Sequence, residues 1–281
     1  MPAWRRVEWA FPDLRRPHAM IPADIRQDIL HRLQRAEQEH QVRILFAIES
    51  GSRAWGFASP NSDYDVRFVY AHPRDWYLAV DLEERRDVIE YPIVDDIDLN
   101  GWDVRKALRL LWKSNPALIE WLQSPITYCQ HGDFRQQALA LLPAIYTSER
   151  GLYHYRSMAS KNYRGYLKQD EVPLKKYFYV LRPLLAARWI ADGRGAPPME
   201  FERLLAMLNA DEAQVRADIH TLLAQKRQAP ELGRAAAVPS LNAFIETELA
   251  RTLPELPWPP GGATRLDPLN QLFHATLAEG G

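Results

Sequence analysis

A single cysteine, Cys129, leaves no partner for an intrachain disulfide. That excludes a disulfide-stapled secreted fold and suits a reducing compartment. Long apolar runs are also missing. No segment approaches the roughly 18 apolar residues of a membrane-spanning helix, and the first stretch, MPAWRRVEWAFPDLRRPH, carries Arg and Trp where a signal peptide would carry an apolar run. The expectation is a cytoplasmic protein with no membrane partner. An excess of one charge is lacking too: 35 Lys and Arg stand against 36 Asp and Glu. Composition therefore does not argue for nucleic acid and leaves only a local basic patch open. Internal repeats and long low-complexity segments are absent. What remains is a chain of 281 residues, 47% hydrophobic, sized for one large domain or two smaller ones with a real core.

Periodicity divides that chain in two. Pro22 to His40 reads as an amphipathic helix, with Ile25, Ile29, Leu30 and Leu33 at helical spacing. Val42 to Ile48 (VRILFAI) is short, apolar and β-branched, and predicts a buried strand. Two turn clusters follow, Glu49 to Ser52 and Ser59 to Ser62, and then a second strand over Tyr64 to Tyr70 (YDVRFVY). Asp87 to Tyr91 and Ile97 to Trp102 read as further strands, with Asn100 and Gly101 as a bulge or turn. Asp103 is placed to cap a helix over Val104 to Lys113, and Asn115-Pro116 opens another that Pro125 ends. Beyond about Asp133 no strand is predicted. Helical patterns cover Phe134 to Leu142, Glu149 to Lys168, Leu174 to Ala191, Met199 to Leu208, Ala210 to Lys226 and Leu241 to Leu253. A Pro- and Gly-rich linker, Pro254 to Gly262, precedes a short helix from Leu266 to Leu277. The expected organisation is α+β: a mixed domain over residues 1–130, then an all-helical domain over residues 131–281.

The informative stretch is ESGSRAWGFASPNSDYDVRFVY, Glu49 to Tyr70. A strand running into Gly51-Ser52 offers backbone amides and a hydroxyl with no bulky side chain in the way, which is what a triphosphate needs. Asp63 and Asp65 are two residues apart at the start of a strand and so share a face. Two carboxylates held that close call for a cation, and hard oxygen donors suit magnesium or manganese. The turn and the acidic pair are two halves of the requirement of phosphoryl and nucleotidyl transfer, which is met by positioning and charge neutralisation.

A Gly-Ser turn, a short helix and Asp-x-Asp on a strand resemble the DNA polymerase β nucleotidyltransferase superfamily. GSRAWGFASPNSDYDVRFVY, DLNGWDVRKAL and KKYFYVLRPLLAARWI are similar to the RNA-repair-pathway polymerase β (RlaP-like) family of predicted nucleotidyltransferases. The resemblance implies a polymerase-β-like core with a small mixed sheet, followed by a helical domain. It implies an NTP substrate, such as ATP, and two Mg2+ or Mn2+ ions. By the same resemblance Asp63 and Asp65 hold the metals, Asp98 is the third carboxylate, and Gly51 and Ser52 cradle the β and γ phosphates. The implied reaction moves a nucleoside monophosphate to an acceptor hydroxyl and releases pyrophosphate. An RNA 3′ end is the favoured acceptor; a protein or small-molecule hydroxyl, or a non-catalytic nucleotide-binding regulatory or antitoxin module, are the alternatives.

Several residues keep two readings at this stage. Asp96 shares strand parity with Asp98, which is preferred for its place in the apolar run Ile97 to Leu99. Arg53 is either a phosphate contact or a surface ion-pair partner. Arg67 departs from the superfamily, which has an apolar or neutral residue there, and is open to pairing with Asp65, contacting phosphate or facing the acceptor. Lys161, Lys175 and Lys176 are the candidates in the helical part for triphosphate contacts. Tyr163, Tyr166, Tyr177 and Tyr179 are either core or surfaces for base stacking. Cys129 is read as a buried bystander.

Overall fold

The computed structural model describes residues 21–228, 233–254 and 266–279. They fold as two compact units. Among the described residues, one comprises 21–54, 63–146 and 266–279; the other comprises 55–62, 147–228 and 233–254. The expected boundary fell at residue 130, whereas the division after the first sheet lies at Tyr146/Thr147. The short segment Trp55–Ser62 counts with the helical unit.

The first unit is built on a five-stranded mixed sheet. Its elements are α1 (Ala23–His40), β1 (Arg43–Glu49), α2 (Gly51–Trp55, whose last residue belongs to the other unit), β2 (Tyr64–Ala71), β3 (Val88–Glu90), β4 (Ile97–Asp103), α3 (Val104–Trp112), α4 (Pro116–Gln123), β5 (Thr127–Gln130) and α5 (Phe134–Ile145). The strand order is β3-β4-β2-β1-β5. β2 and β4 are parallel neighbours; the other pairs are antiparallel. On one face, Ile29 and Leu33 of α1 pack with Ile44, Val66, Phe68, Ile97 and Leu99 in a continuous buried cluster. Each such side chain removed from water stabilises the fold by about 1.5–3 kcal/mol. Alternation leaves Asp65, Arg67, Asp98 and Asn100 half-buried on the opposite face.

Asp103 ends β4 and caps α3, its carboxylate accepting from the Arg105 amide at 2.8 Å. The Tyr77 hydroxyl donates to the other carboxylate oxygen at 2.7 Å. Asn100 and Gly101, expected to form a bulge or turn, instead lie in regular strand register with Arg67 and Phe68. Gly101 is glycine for a packing reason: a Cβ there would stand 2.2 Å from the Phe68 ring. β5 was not predicted, because four residues are too few to display an alternation.

The helical unit comprises α6 (Ser148–Tyr166), β6 (Glu171–Pro173), α7 (Lys176–Ala191), α8 (Phe201–Leu205), α9 (Ala213–Gln228), β7 (Arg234–Ala236) and α10 (Pro239–Ala250). Its core joins Phe57, Leu152, Tyr155, Leu181, Leu185, Ile219 and Ile245. β6 and β7 pair as a two-stranded antiparallel ribbon, correcting the expectation that no strand follows Asp133. Each is three residues long and its partner lies some sixty residues away, so neither shows a local pattern. α11 (Leu266–Ala278) belongs to the sheet unit by its packing on α3 and α5. The linker expected over Pro254 to Gly262 lies, apart from Pro254, outside the described residues.

Candidate active site

The site is assembled where β1 hands over to α2. Gly51 takes φ +57°, and a Cβ placed on it would fall 1.9 Å from Asp65 Oδ2. The Asp65 carboxylate therefore rests directly on Gly51 at the start of α2, a contact that only glycine permits. The Ser50 amide donates to the Asp65 carbonyl at 2.8 Å, which pins the turn to β2.

Register does the rest. Asp65 is the partner of Asp98 across the parallel β2–β4 pair, and Arg67 is the partner of Asn100. Asp98, not Asp96, stands beside Asp65. Asp96 is exposed, with φ +59°, and its carbonyl accepts from the Tyr64 amide. Asp63 immediately precedes β2 and is exposed. Its carbonyl accepts from Arg53 Nε at 3.3 Å, and the Arg53 guanidinium lies 4.0 Å over the Tyr64 ring.

Arg67 sits among these groups. Its Nη2 donates to Asp65 Oδ1 at 3.0 Å and to Asp98 Oδ2 at 2.6 Å. Its Nη1 donates to the backbone carbonyls of Val66 at 3.1 Å and Asp98 at 2.8 Å. Of the three roles open to it, the structure shows the ion pair with Asp65 and adds Asp98 as a second partner. Burial holds the Asp65 carboxyl above its ordinary range; Arg67 pulls it back down, and the Asp98 and Asp63 charges raise it again.

A residue that sequence reasoning passed over lies beneath. Glu49, fully buried at the end of β1, accepts the Asp65 amide at 3.1 Å on Oε1 and the Tyr128 hydroxyl at 2.5 Å on Oε2. Burial pushes its carboxyl up to about 7. The signal for it was present: a glutamate that continues an apolar strand without a break, VRILFAIE, lacks the usual exit to water and needs buried donors.

The donor chemistry fits a hard divalent cation. Asp65 at the start of β2 and Asp98 on β4 are register partners, Asp63 immediately precedes β2, and the charge of Asp65 is destabilised by the other two. As arranged, the cation that Asp65 and Asp98 meet is the Arg67 guanidinium. Among the described residues no three carboxylate, imidazole or thiolate groups are gathered around one point. Two cavities lie elsewhere and touch none of these carboxylates: one of about 460 Å3 beside Asp28, Arg32, Arg35 and Tyr91, another of about 280 Å3 beside Arg156, Arg188 and Glu248.

The remaining candidates belong to the helical unit. Lys161 is exposed on α6, and Lys175 and Lys176 are half-buried at the start of α7. The Lys176 ammonium lies 4.1 Å over the Tyr166 ring and 5.1 Å over the Tyr179 ring, and both rings are exposed, at 41% and 38%. Tyr163 and Tyr177 are core residues; their hydroxyls donate to Glu246 and Asn242. Cys129 is half-buried on β5, and burial pushes its thiol up to about 11, which leaves it unreactive.

A strand, a glycine turn that receives an aspartate, and a second aspartate in register on a parallel neighbour define a polymerase-β-type nucleotidyltransferase sheet. The chain belongs to the RNA repair pathway DNA polymerase beta family, RlaP, whose model matches residues 25–275. It is 46% identical over 229 residues to the uncharacterized protein YcgL of Bacillus subtilis (strain 168), covering 82% of this chain and 87% of that one. Among solved structures it is similar to a nucleotidyltransferase-like protein from Exiguobacterium sibiricum, at 13% identity and a TM-score of 0.30, covering 91% of this chain and 92% of the other. That last likeness is too distant to bear on the site.

Proposed function

We propose that this protein transfers a nucleoside monophosphate from an NTP to an acceptor hydroxyl, with release of pyrophosphate. One observation carries the reading: the Asp65 carboxylate is seated on Gly51 at the start of α2 with Asp98 beside it in strand register. A phosphate-binding turn and a metal-binding carboxylate thereby share one point, which family membership leads one to expect of a nucleotidyltransferase.

In this reading Asp63, Asp65 and Asp98 hold Mg2+ or Mn2+, which when bound neutralises phosphate charge and favours ionisation of the attacking hydroxyl. The Gly51 and Ser52 amides and the Ser52 hydroxyl receive the β and γ phosphates, and Arg53 flanks them. Glu49 fixes the start of β2 by accepting the Asp65 amide, so the carboxylate above it keeps its aim. One or more of Lys161, Lys175 and Lys176 supplies the further positive charge that a triphosphate requires. In this reading the acceptor is an RNA 3′ end: the family's description names an RNA repair pathway and no particular acceptor, and exposed Tyr166 and Tyr179 with Lys176 offer stacking faces and a cation of the kind single strands use.

The test is incubation of the protein with each labelled NTP, Mg2+ or Mn2+, and total RNA or cell lysate, followed by fractionation. Label in RNA supports the reading; label in protein or small molecules moves the acceptor and keeps the chemistry. A nucleotide-binding module without turnover is the second reading, favoured by the guanidinium between Asp65 and Asp98. NTP binding with no label transferred to any fraction decides for it.

A further inference from the structure

The face that carries the acidic pair holds one unmet acceptor. Asn100, the register partner of Arg67, donates its amide nitrogen to Glu90 Oε1 at 3.3 Å. Its own carbonyl oxygen, Oδ1, is buried and accepts no hydrogen bond from the described residues. A buried acceptor without a donor is costly and is rarely kept without a use. The nearest element in register is the strand position that bears a guanidinium.

Arg67 is divided in its attachments. Nη1 is tied to two backbone carbonyls, whereas Nη2, among the described residues, is held by the carboxylates of Asp65 and Asp98 alone. The lone pairs that Nη2 occupies are those a divalent ion would take, and a guanidinium and a metal ion repel one another at that range. Both cannot use the pair at once.

We infer that Arg67 is the resident cation of the Asp65–Asp98 pair, that a divalent ion gains the pair only by displacing its Nη2 end, and that Asn100 Oδ1 receives the displaced guanidinium. The inference rests on the reading that this acidic cluster holds a divalent ion. Arg67 thereby sets the affinity of the site: the pair keeps one counter-charge when the ion is absent, and ion entry is coupled to the swing of one side chain along the sheet face.

The test is a titration of the full chain with Mn2+ alone, without nucleotide, following free Mn2+ by its paramagnetic resonance signal. Arg67→Gln and Arg67→Met should bind Mn2+ at least about tenfold more tightly than wild type, equivalent to about 1.4 kcal/mol. Asn100→Leu should weaken binding several-fold while Arg67 is present and have no effect in the Arg67→Gln background. Arg67 variants that bind no better than wild type overturn the competition, and an equal loss from Asn100→Leu in both backgrounds overturns its receiving role. Should the neutral variants fail to fold, the side-chain resonance of Arg67 in wild type carries the test: it shifts on Mg2+ addition if the inference holds and stays in place if it fails. Wild-type binding that Asp65→Asn abolishes, together with unimproved Arg67 variants, leaves the metal reading standing and removes only this inference. Absence of binding in wild type and variants alike removes both.

Discussion

Replacing Gly51 with alanine tests the geometry of the site most directly. Two costs meet at that position. The backbone is at φ +57°, where an L side chain costs about 1–2 kcal/mol. The new methyl would also stand 1.9 Å from Asp65 Oδ2 and 2.7 Å from its Cγ, and overpacking of this kind costs about 1–3 kcal/mol. Together the substitution should destabilise the protein by about 2–5 kcal/mol, a fall in melting temperature of about 4–20 °C for a chain of this size. Gly56 separates the two costs. It too has positive φ, +90°, yet nothing lies within 4 Å of a Cβ built on it, so Gly56→Ala should lose about 1–2 kcal/mol from strain alone. Relief of the clash must come from Asp65, whose carboxylate would leave the turn and loosen its 3.0 Å bond to Arg67. Metal-free thermal unfolding by circular dichroism compares the variants. A Gly51→Ala protein that melts with or above Gly56→Ala would refute the seating of Asp65 on the turn.

Three further outcomes follow from the same structure. Asp65→Asn should abolish nucleotidyl transfer, while the metal-free melting temperature holds within a few degrees: the lost bond to Arg67 is offset by removing a desolvated charge beside Asp98 and Asp63. Retained transfer sinks the metal mechanism. Asp103 is pushed up to about 6 by burial, so the folded state holds its proton more tightly than the unfolded chain. Its contribution favours folding below the unfolded value near 4 and is lost as pH rises through about 6, a change of about 3 kcal/mol. Asp103→Asn, which keeps a capping oxygen, should flatten that slope in urea melts between pH 4 and 7, and an unchanged slope assigns it elsewhere. Among Lys161→Ala, Lys175→Ala and Lys176→Ala, at least one should weaken NTP binding by about 1–3 kcal/mol; wild-type affinity in all three turns the helical unit toward acceptor recognition.

The long elements were legible because their patterns are local. α1 and α3 carry their apolar residues at helical spacing, and β1 and β2 show a buried run and an alternation that any register must respect. What escaped was set by distant partners. Thr127–Gln130 is a strand because β1 lies beside it, and Glu171–Pro173 because Arg234–Ala236 does. The bulge expected at Asn100-Gly101 failed for a related reason. Glycine in a strand marks either a kink or the close approach of another group, and only the register with Phe68 shows that it is the second.

The site divides along the same line. The i, i+2 spacing of Asp63 and Asp65 was readable from residue types, but Asp63 lies just ahead of β2, where strand alternation does not fix its face, and Gly51-Ser52, expected in a turn, open the short helix α2. The choice of Asp98 over Asp96 depends on how β4 lies against β2, which adjacent acidic residues cannot reveal; in register Asp98 meets Asp65, while Asp96 is spent on a turn. Arg67 looked like a departure from its superfamily for want of that same register. Once β2 and β4 are parallel and aligned, a positive charge two residues beyond Asp65 is brought against both carboxylates, and the departure becomes the counter-charge that lets an acidic pair exist in a half-buried sheet face before any ligand arrives.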